Sequence, residues 1–183
     1  MLELSLHILD IVENSTRAGA RNVRIEIHED IAEDRLIIDI NDDGEGMDED
    51  ALRKALDPFF TTKKVRRVGL GLPMLAEAAE RTGGRLTLES REGRGTRVHV
   101  EFGYSHIDRQ PLGDMPGTIL ALIAGNPEVN FTYCHRRDGL FYRLDTSEIK
   151  EEIGDIPVNH AEVLKFIRET MEEGLKGVGF LRH

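Results

Sequence analysis

Two stretches near the N-terminus decide the fold: LHILDIVENSTRAGA at residues 6–20 and NDDGEGM at residues 41–47. The first is apolar around most of a helix, because positions rotated by about 100° per residue carry Leu, Ile or Val over more than half of the circumference. One narrow polar stripe crosses that surface and consists of His7, Asp10, Asn14 and Arg17. Each of these side chains would cost free energy if it were buried without a partner. The stripe therefore predicts that something polar lies along this helix.

The second stretch follows residues 35–40, whose Ile-rich sequence is typical of a β-strand. A carboxylate at the end of a strand, followed by Gly44 and Gly46, lets the backbone approach a flat ligand closely. The same residues also fit a glycine turn with solvated acids. This motif alone leaves both interpretations open.

Five motifs in a fixed order resemble those of the GHKL superfamily, which includes gyrases, heat-shock chaperones, histidine kinases and mismatch-repair ATPases. Residues 13–20 (ENSTRAGA) look like the asparagine box, and residues 42–46 (DDGEG) look like the first glycine box. Residues 57–63 (DPFFTTK) are similar to the phenylalanine box of histidine kinases. Residues 69–72 (GLGL) resemble the second glycine box, and residues 93–96 (GRGT) resemble the hairpin that closes the domain. The resemblance covers residues 1 to about 103.

The resemblance implies an α/β two-layer sandwich, with a mixed sheet, helices on one face, and ATP between the helices and a lid. We expect a GHKL ATP-binding domain at residues 1–103, a linker at 104–117, and a small α+β region of unknown role at 118–183. Many relatives have a strand and a helix before the asparagine-box helix. We therefore expect an open sheet edge that the C-terminal region or a second subunit covers.

Local patterns predict the individual elements. Asp48 is a good N-cap for a helix that runs to Leu56, and Pro73 suits the first turn of a helix that runs to Arg81. The remaining predictions are a helix at 1–20, a hairpin of 22–28 with 35–40, a second hairpin of 85–90 with 96–102, a helix at 118–124, a hairpin turning at 137–139, and a helix at 159–174.

The resemblance also implies roles for single residues. Asn14 gives its amide oxygen to Mg²⁺, which bridges the triphosphate of ATP. Asp42 accepts a hydrogen bond from the adenine amino group, with Thr96 beside it through water. The first amides of the helix after the second glycine box attract phosphate. The predicted ATP-binding residues are Asn14, Arg17, Asp42, Gly44, Gly46, Met47, Thr62, Lys63, Gly69, Leu70, Gly71, Leu72 and Thr96. The sequence has no GxxxxGK[ST], which excludes a P-loop as the phosphate device.

Two positions depart from the pattern of the relatives. The branches that hydrolyse ATP carry a glutamate four residues before the asparagine, where this chain has Asp10. Aspartate keeps the carboxylate on a shorter side chain, so Asp10 is our candidate general base, and a role in only orienting water on Mg²⁺ stays open. Arg17 stands where histidine kinases usually carry a phosphate-contacting lysine, which places the chain nearer to the kinases than to the mismatch-repair enzymes.

The segment between the phenylalanine box and Gly69 carries Lys63, Lys64, Arg66 and Arg67. We interpret it as a short lid whose cations meet the β- and γ-phosphates, with a solvated basic loop as the alternative. His7 we interpret as a partner of Asp10, one helical turn away. A phosphoacceptor role for His7 is disfavoured, because kinases carry that histidine on a separate helical hairpin.

Composition restricts the classes of function. The 183 residues carry a formal net charge of −10, and no basic patch stands out, which argues against nucleic acid as a partner. Cys134 is the single cysteine, so an internal disulfide is excluded. No apolar run approaches the ~18 residues of a membrane span, and no secretory signal begins the sequence, so we expect no membrane attachment and a cytoplasmic location.

These observations lead to one functional expectation with two alternatives. We expect an Mg-ATP-binding, histidine-kinase-like regulatory ATPase that phosphorylates or switches a cytoplasmic protein partner, and a homodimer is also considered. The first alternative is a non-catalytic, ATP-dependent binding module like the anti-sigma factors. The second is a mismatch-repair-like ATPase clamp.

Overall fold

A computed structural model of the protein describes residues 3–56 and 71–180. The elements in this part of the chain are α1 (Leu4–Arg17), β1 (Asn22–Asp30), β2 (Arg35–Asp42), α2 (Glu49–Ala55), α3 (Gly71–Glu80), β3 (Arg85–Ser90), β4 (Thr96–Gly103), α4 (Met115–Gly125), β5 (Asn130–Arg137), β6 (Leu140–Asp145), α5 (Thr146–Ile153) and α6 (Ala161–Gly177). Among these described residues, no helix is both long and apolar enough to cross a membrane.

The strands form one mixed sheet in the order β3-β4-β2-β1-β5-β6. Neighbouring strands are antiparallel except β1 and β5, which run parallel. The two predicted hairpins, β1–β2 and β3–β4, are confirmed, and so is the predicted turn between β5 and β6. A mixed sheet was expected from the family resemblance, and the structure has one.

The two faces of the sheet differ in polarity because side chains alternate along each strand. On the inner face, Ile25, Ile38 and Val100 are buried in one apolar cluster with residues of α1, α3, α4 and α6. On the outer face, the Asp39 carboxylate bonds to Arg97 and His99 of β4. Helices therefore cover one face and charged side chains the other, which is the predicted two-layer sandwich.

Strands from the N-terminal and C-terminal parts of the chain lie side by side. Asn22 of β1 is in register with Asn130 of β5, and α4 packs on α1. The C-terminal region thus covers the edge of β1 that we expected it or a second subunit to cover. The domain boundaries proposed at residues 103 and 118 stay a prediction, although both sides contribute to one sheet and one core.

Residues 104–114 form a strap that binds the start of α1, where we had predicted only a linker. The amides of Leu4 and Ser5 donate to the carbonyls of Pro111 and Leu112 at 3.0 and 2.8 Å. These amides begin a helix and have no acceptor within it, so the strap satisfies them.

Several helix ends differ from the predictions because a capping residue lies elsewhere. Asp48 caps α2 as predicted, accepting from the amide of Ala51 at 2.7 Å. The helix predicted at 118–124 begins earlier, since Asp114 accepts from the amide of Gly117 at 2.9 Å. α5, which we did not predict, begins after Asp145. Leu6 is 42% exposed, so α1 is less enclosed than its sequence suggested.

Candidate nucleotide-binding site

A cavity of about 400 Å³ lies between α1, the loop after β2, α2, the start of α3, and β4. Seven of the predicted site residues line it: Asn14, Asp42, Gly46, Met47, Gly71, Leu72 and Thr96. The structure therefore brings together residues from the asparagine box, both glycine boxes and the closing hairpin. Thr62, Lys63, Gly69 and Leu70, together with the predicted lid, lie outside the described residues.

Asp42 ends β2 with its carboxylate held in the cavity by neutral donors. Its Oδ2 accepts from the Ser15 hydroxyl at 2.6 Å. Its Oδ1 accepts from the backbone amides of Gly44 at 2.9 Å and Thr96 at 3.2 Å. Hydroxyl and amide donors orient a carboxylate without neutralising its charge. Asp42 is thus a fixed acceptor in a mainly apolar cavity.

Ser15 contacts Asp42 and was not among the predicted site residues, although it belongs to the asparagine box. It is buried on the side of α1 that faces β2, whereas Asn14 is only partly buried. Its position directly after Asn14 placed it about 100° around the helix, and that rotation is the signal that could have assigned it to Asp42.

Asp43 fixes the strand end that carries Asp42. Its Oδ1 accepts from the amides of Arg21 and Asn22 at 2.7 and 2.8 Å, and its Oδ2 accepts from the Asn22 side chain at 2.7 Å. Partial burial disfavours the charged carboxylate, but these hydrogen bonds prevail and hold the pKa of Asp43 below its usual value. The two adjacent acids thus differ: the Asp43 carboxylate binds the start of β1, whereas the Asp42 carboxylate lines the cavity.

Two glycines bring backbone close to backbone at this site. Gly46 has a φ of +68°, and a Cβ there would overlap the carbonyl of Arg91. A Cβ on Gly44 would lie 2.9 Å from the carbonyl oxygen of Ala18. The amide of Glu45 also donates to Ala18 at 2.8 Å, which joins the loop to the end of α1. These glycines therefore allow backbone to approach backbone, and their predicted role, a close approach of the backbone to a ligand, stays a prediction.

Asn14 and Arg17 interact directly on the outer part of α1. The Arg17 guanidinium donates through Nη2 to the Asn14 Oδ1 at 2.7 Å, and through Nε to the Glu13 carbonyl at 3.0 Å. The amide oxygen predicted to bind Mg²⁺ is therefore already an acceptor for a cationic side chain. A metal ion could use this oxygen only if Arg17 moved away from it.

Asp10 lies beside the second glycine box, outside the described lining of the cavity. A Cβ on Gly71 would overlap the Asp10 carboxylate, so only glycine allows this approach.

The structure does not show the predicted hydrogen bond between His7 and Asp10. His7 is 1% exposed, and its Nε2 bonds instead to the Gln110 side chain of the strap at 3.0 Å. The partner of His7 is thus a strap residue 103 positions later in the sequence, and not its neighbour on the helix.

The fold and the cavity define an α/β ATPase domain of the GHKL type. Residues 2–106 match the family described as "Histidine kinase-, DNA gyrase B-, and HSP90-like ATPase". This match covers more than half of the chain, and the chain belongs to that family. The resemblance predicted from the five motifs is confirmed.

Known proteins of two kinds are similar to this chain. Sporulation kinase E of Bacillus subtilis (strain 168) is 41% identical over 68 residues, which are 37% of this chain and 9% of that protein. The sensor protein kinase FleS of Pseudomonas aeruginosa is 39% identical over 89 residues, which are 49% of this chain and 22% of that protein. The Aquifex aeolicus MutL ATPase domain complexed with ADP superposes with a TM-score of 0.51 at 19% identity, covering 84% of this chain and 68% of that one.

The similarities to the two kinases cover only part of those proteins. The chain spans less than a quarter of the length of either kinase, so it shares only a part of each. The likeness to the MutL domain is one of fold.

Proposed function

We propose that this protein binds ATP with Mg²⁺ in the cavity beside Asp42 and uses the nucleotide to phosphorylate or switch a protein partner in the cytoplasm. The observation that supports it most is the Asp42 carboxylate, which neutral donors hold in a cavity of about 400 Å³. A carboxylate acceptor at an apolar wall suits a ring that carries an amino group, because a polar group buried there must be paired. Membership of an ATPase family supports the same ligand.

The residues present also suit the phosphate end of the ligand. Asn14 Oδ1 would serve Mg²⁺ once Arg17 exchanges that oxygen for a phosphate, with which a guanidinium forms stronger, charge-assisted bonds. Mg²⁺ accepts a neutral amide ligand when phosphates supply the negative charge. When bound, the metal would neutralise phosphate charge. Residues 61–67, where we proposed the lid, would add further cations.

Whether Asp10 acts as a general base decides between a catalytic protein and a nucleotide-dependent switch without turnover. As a general base, its carboxylate would take a proton from water or from an acceptor group on the partner. The alternative, a nucleotide-dependent binding module without turnover, is favoured by the place of Asp10 against Gly71, outside the described cavity lining. A mismatch-repair-like clamp has only the likeness of fold in its favour.

The test of ATP binding is calorimetric titration of the protein with ATP, with Mg²⁺ and with chelator. We expect binding that needs Mg²⁺ and is lost in Asn14→Ala. Thr16→Ala is the control, since the exposed Thr16 hydroxyl bonds to the Glu13 carbonyl of its own helix. Binding that is equal with chelator, or intact in Asn14→Ala, would contradict the metal site.

The test of transfer uses ATP labelled at the γ-phosphate, incubated with the protein and a lysate. A kinase places label on another protein, an ATPase releases it as phosphate, and a switch does neither. In Asp10→Asn, turnover of either kind should fall about 10²–10⁴-fold, the usual loss when a general base is removed. Turnover that persists in Asp10→Asn would place the base elsewhere.

A further inference from the structure

A second cavity, of about 600 Å³, lies on the inner face of the sheet at the ends of β1 and β5. The strap forms one wall through Arg109 and Leu112, and the end of α6 forms another through Leu175 and Phe180. Among residues 3–56 and 71–180, none lines both this cavity and the cavity beside Asp42. Interiors of proteins are close-packed, and cavities of ~300–1,000 Å³ are the usual size of ligand pockets.

Two polar residues face this cavity from positions where the sheet otherwise buries apolar side chains. Glu29 follows Val23, Ile25 and Ile27 on the inner face of β1, and it is 8% exposed. His135 is 2% exposed on β5, and its Nε2 lies 2.7 Å from the Glu29 Oε1. A buried charge is tolerated only when it is well paired.

The charge of Glu29 is matched by its neighbours. Its Oε2 lies 3.5 Å from the Arg137 Nη1, and Tyr104 also hydrogen-bonds to the carboxylate. Burial opposes ionisation, but the bonds from His135 and Tyr104 and the charge of Arg137 hold the pKa of Glu29 below its usual value. Burial also raises the pKa of Tyr133, whose hydroxyl lies 3.1 Å from the His135 Nδ1. Tyr133 and Glu29 thus lie within hydrogen-bond distance of the two ring nitrogens of His135.

Arg109 is a cation in the wall of this cavity, and its charge is not used to pair Glu29. Its Nε donates to the Tyr104 carbonyl at 2.5 Å, its Nη1 donates to the Gln110 carbonyl at 3.2 Å, and its guanidinium lies 5.1 Å from the centre of the Tyr104 ring. These partners fix the guanidinium but are neutral, and among the described residues Arg109 forms no ion pair. An anion that reached it would form charge-assisted hydrogen bonds.

The rest of the wall suits a flat apolar group. Leu36, Met115 and Leu175 are buried side chains at the cavity, and Leu112 lies on the strap opposite the sheet. The ring of Phe180 stacks on the ring of His135 with centres 3.9 Å apart and planes 3° from parallel. Aromatic and aliphatic walls of this kind bury a ring favourably.

From this cavity we infer a second binding site, which takes a small aromatic monoanion with its ring among Leu112, Met115 and Phe180 and its anionic group on Arg109. The inference does not depend on the proposed nucleotide site, since the described linings of the two cavities have no residue in common.

The test uses 1-naphthoate as the probe and neutral 1-naphthamide, of similar shape, as its matched control. Each is titrated into the isotope-labelled chain of 183 residues while backbone amide shifts are recorded. We expect saturable shifts at residues 109, 110, 112, 113, 135 and 175–180, with naphthoate bound about tenfold more tightly than naphthamide, as one hydrogen bond to a charged group predicts.

Variants of Arg109 then test its role. Arg109→Gln should weaken naphthoate about tenfold and remove the preference over naphthamide. Arg109→Lys should keep that preference. Arg168→Gln, at an exposed ion pair of α6, should change neither probe.

Three results would overturn the inference: no saturable shifts with millimolar naphthoate, equal affinity for the two probes, or shifts centred on Asn14, Asp42 and Thr96. Should Arg109→Gln fail to fold, the comparison of the two probes on the unaltered chain, together with Arg109→Lys, still decides the question.

Discussion

The two cavities lie on the same face of one sheet and differ in what they offer a ligand. Beside Asp42, hydroxyl and amide donors hold a carboxylate whose charge they do not neutralise. Beside Glu29, the carboxylate is paired with Arg137 and His135, so its charge is already matched. The proposed function makes the partly buried Asp42 a binding group, whereas the buried Glu29 is a structural group. The chemistry of the partners, neutral donors at Asp42 and a cation at Glu29, is the basis of this distinction.

The two sites also differ in how the chain builds them. The cavity beside Asp42 depends on close backbone contacts at glycines, which leave motifs in the sequence. The cavity beside Glu29 is assembled from single residues on β1, β5, the strap and α6. The following predictions test this contrast, beginning with the largest expected effect.

Gly46→Ala should have the largest effect, because it affects the backbone on which the nucleotide site is built. A left-handed φ costs a non-glycine residue about 1–2 kcal/mol, and the overlap of its Cβ with the Arg91 carbonyl adds about 1–3 kcal/mol. We expect a loss of about 3 kcal/mol or more in the free energy of unfolding, measured with denaturant. Gly93→Ala is the matched control, with a φ of +72° but nothing within 4 Å of the added Cβ. Equal losses in the two variants would show that close packing at Gly46 is unimportant.

Glu29→Ala should destabilise the fold by about 3 kcal/mol, since it leaves the buried His135 and the partly buried Arg137 without the carboxylate that they contact. Glu26→Ala is the control, because Glu26 lies on the opposite face of β1 in an exposed ion pair with Arg24 and should cost less than about 1 kcal/mol. ATP affinity should be the same in both variants. A marked loss of ATP affinity in Glu29→Ala alone would break the proposed separation of the two cavities.

Asp42→Asn should weaken ATP binding by about 1–3 kcal/mol, which corresponds to roughly five- to 150-fold, with a smaller effect on folding. An asparagine oxygen directed at the amides of Gly44 and Thr96 leaves its NH₂ group, a donor, to meet the adenine amino group. Calorimetry measures the change. Asp39→Asn, in the same strand on the outer face, should leave ATP affinity unaltered. If both variants bind ATP as the unaltered chain does, Asp42 does not contact adenine.

Features that depend on local backbone geometry could be predicted from the sequence. Asn14, Gly46 and Gly71 were predicted to lie at one site, and all three line one cavity. At Gly46 and Gly71 an added Cβ would overlap a neighbouring segment of the chain, which is why these positions are recognisable as glycines in the sequence. The N-cap at Asp48 and the turn at residues 137–139 follow from equally local chemistry. The order of the five motifs then supplied the fold that joins them.

Features that depend on pairing between distant residues could not be predicted. Nothing near Glu29 indicates that it will meet His135, 106 residues later, because that contact depends on β5 lying parallel to β1. His7 was assigned to Asp10, its neighbour on the helix, whereas Gln110 bonds to it from the strap. α5 was missed because its N-cap, Asp145, directly ends a strand. In each case tertiary contact overrode the local pattern.

His7→Gln should produce the smallest effect, in the dependence of stability on pH. Burial lowers the pKa of His7 below 6.5, and its bond to Gln110 and the charge of Asp10 only partly oppose this. As pH falls through about 6.5, the unfolded chain takes up a proton that native His7 resists, so His7 makes the fold less stable in acid. Glutamine does not titrate, and the loss of unfolding free energy between about pH 7.5 and about pH 5.5 should therefore be smaller in the variant. His106→Gln, on the exposed part of the strap, should keep the full loss. If His7→Gln keeps it too, the pH dependence arises elsewhere, and the contact between α1 and the strap does not respond to acid through this imidazole.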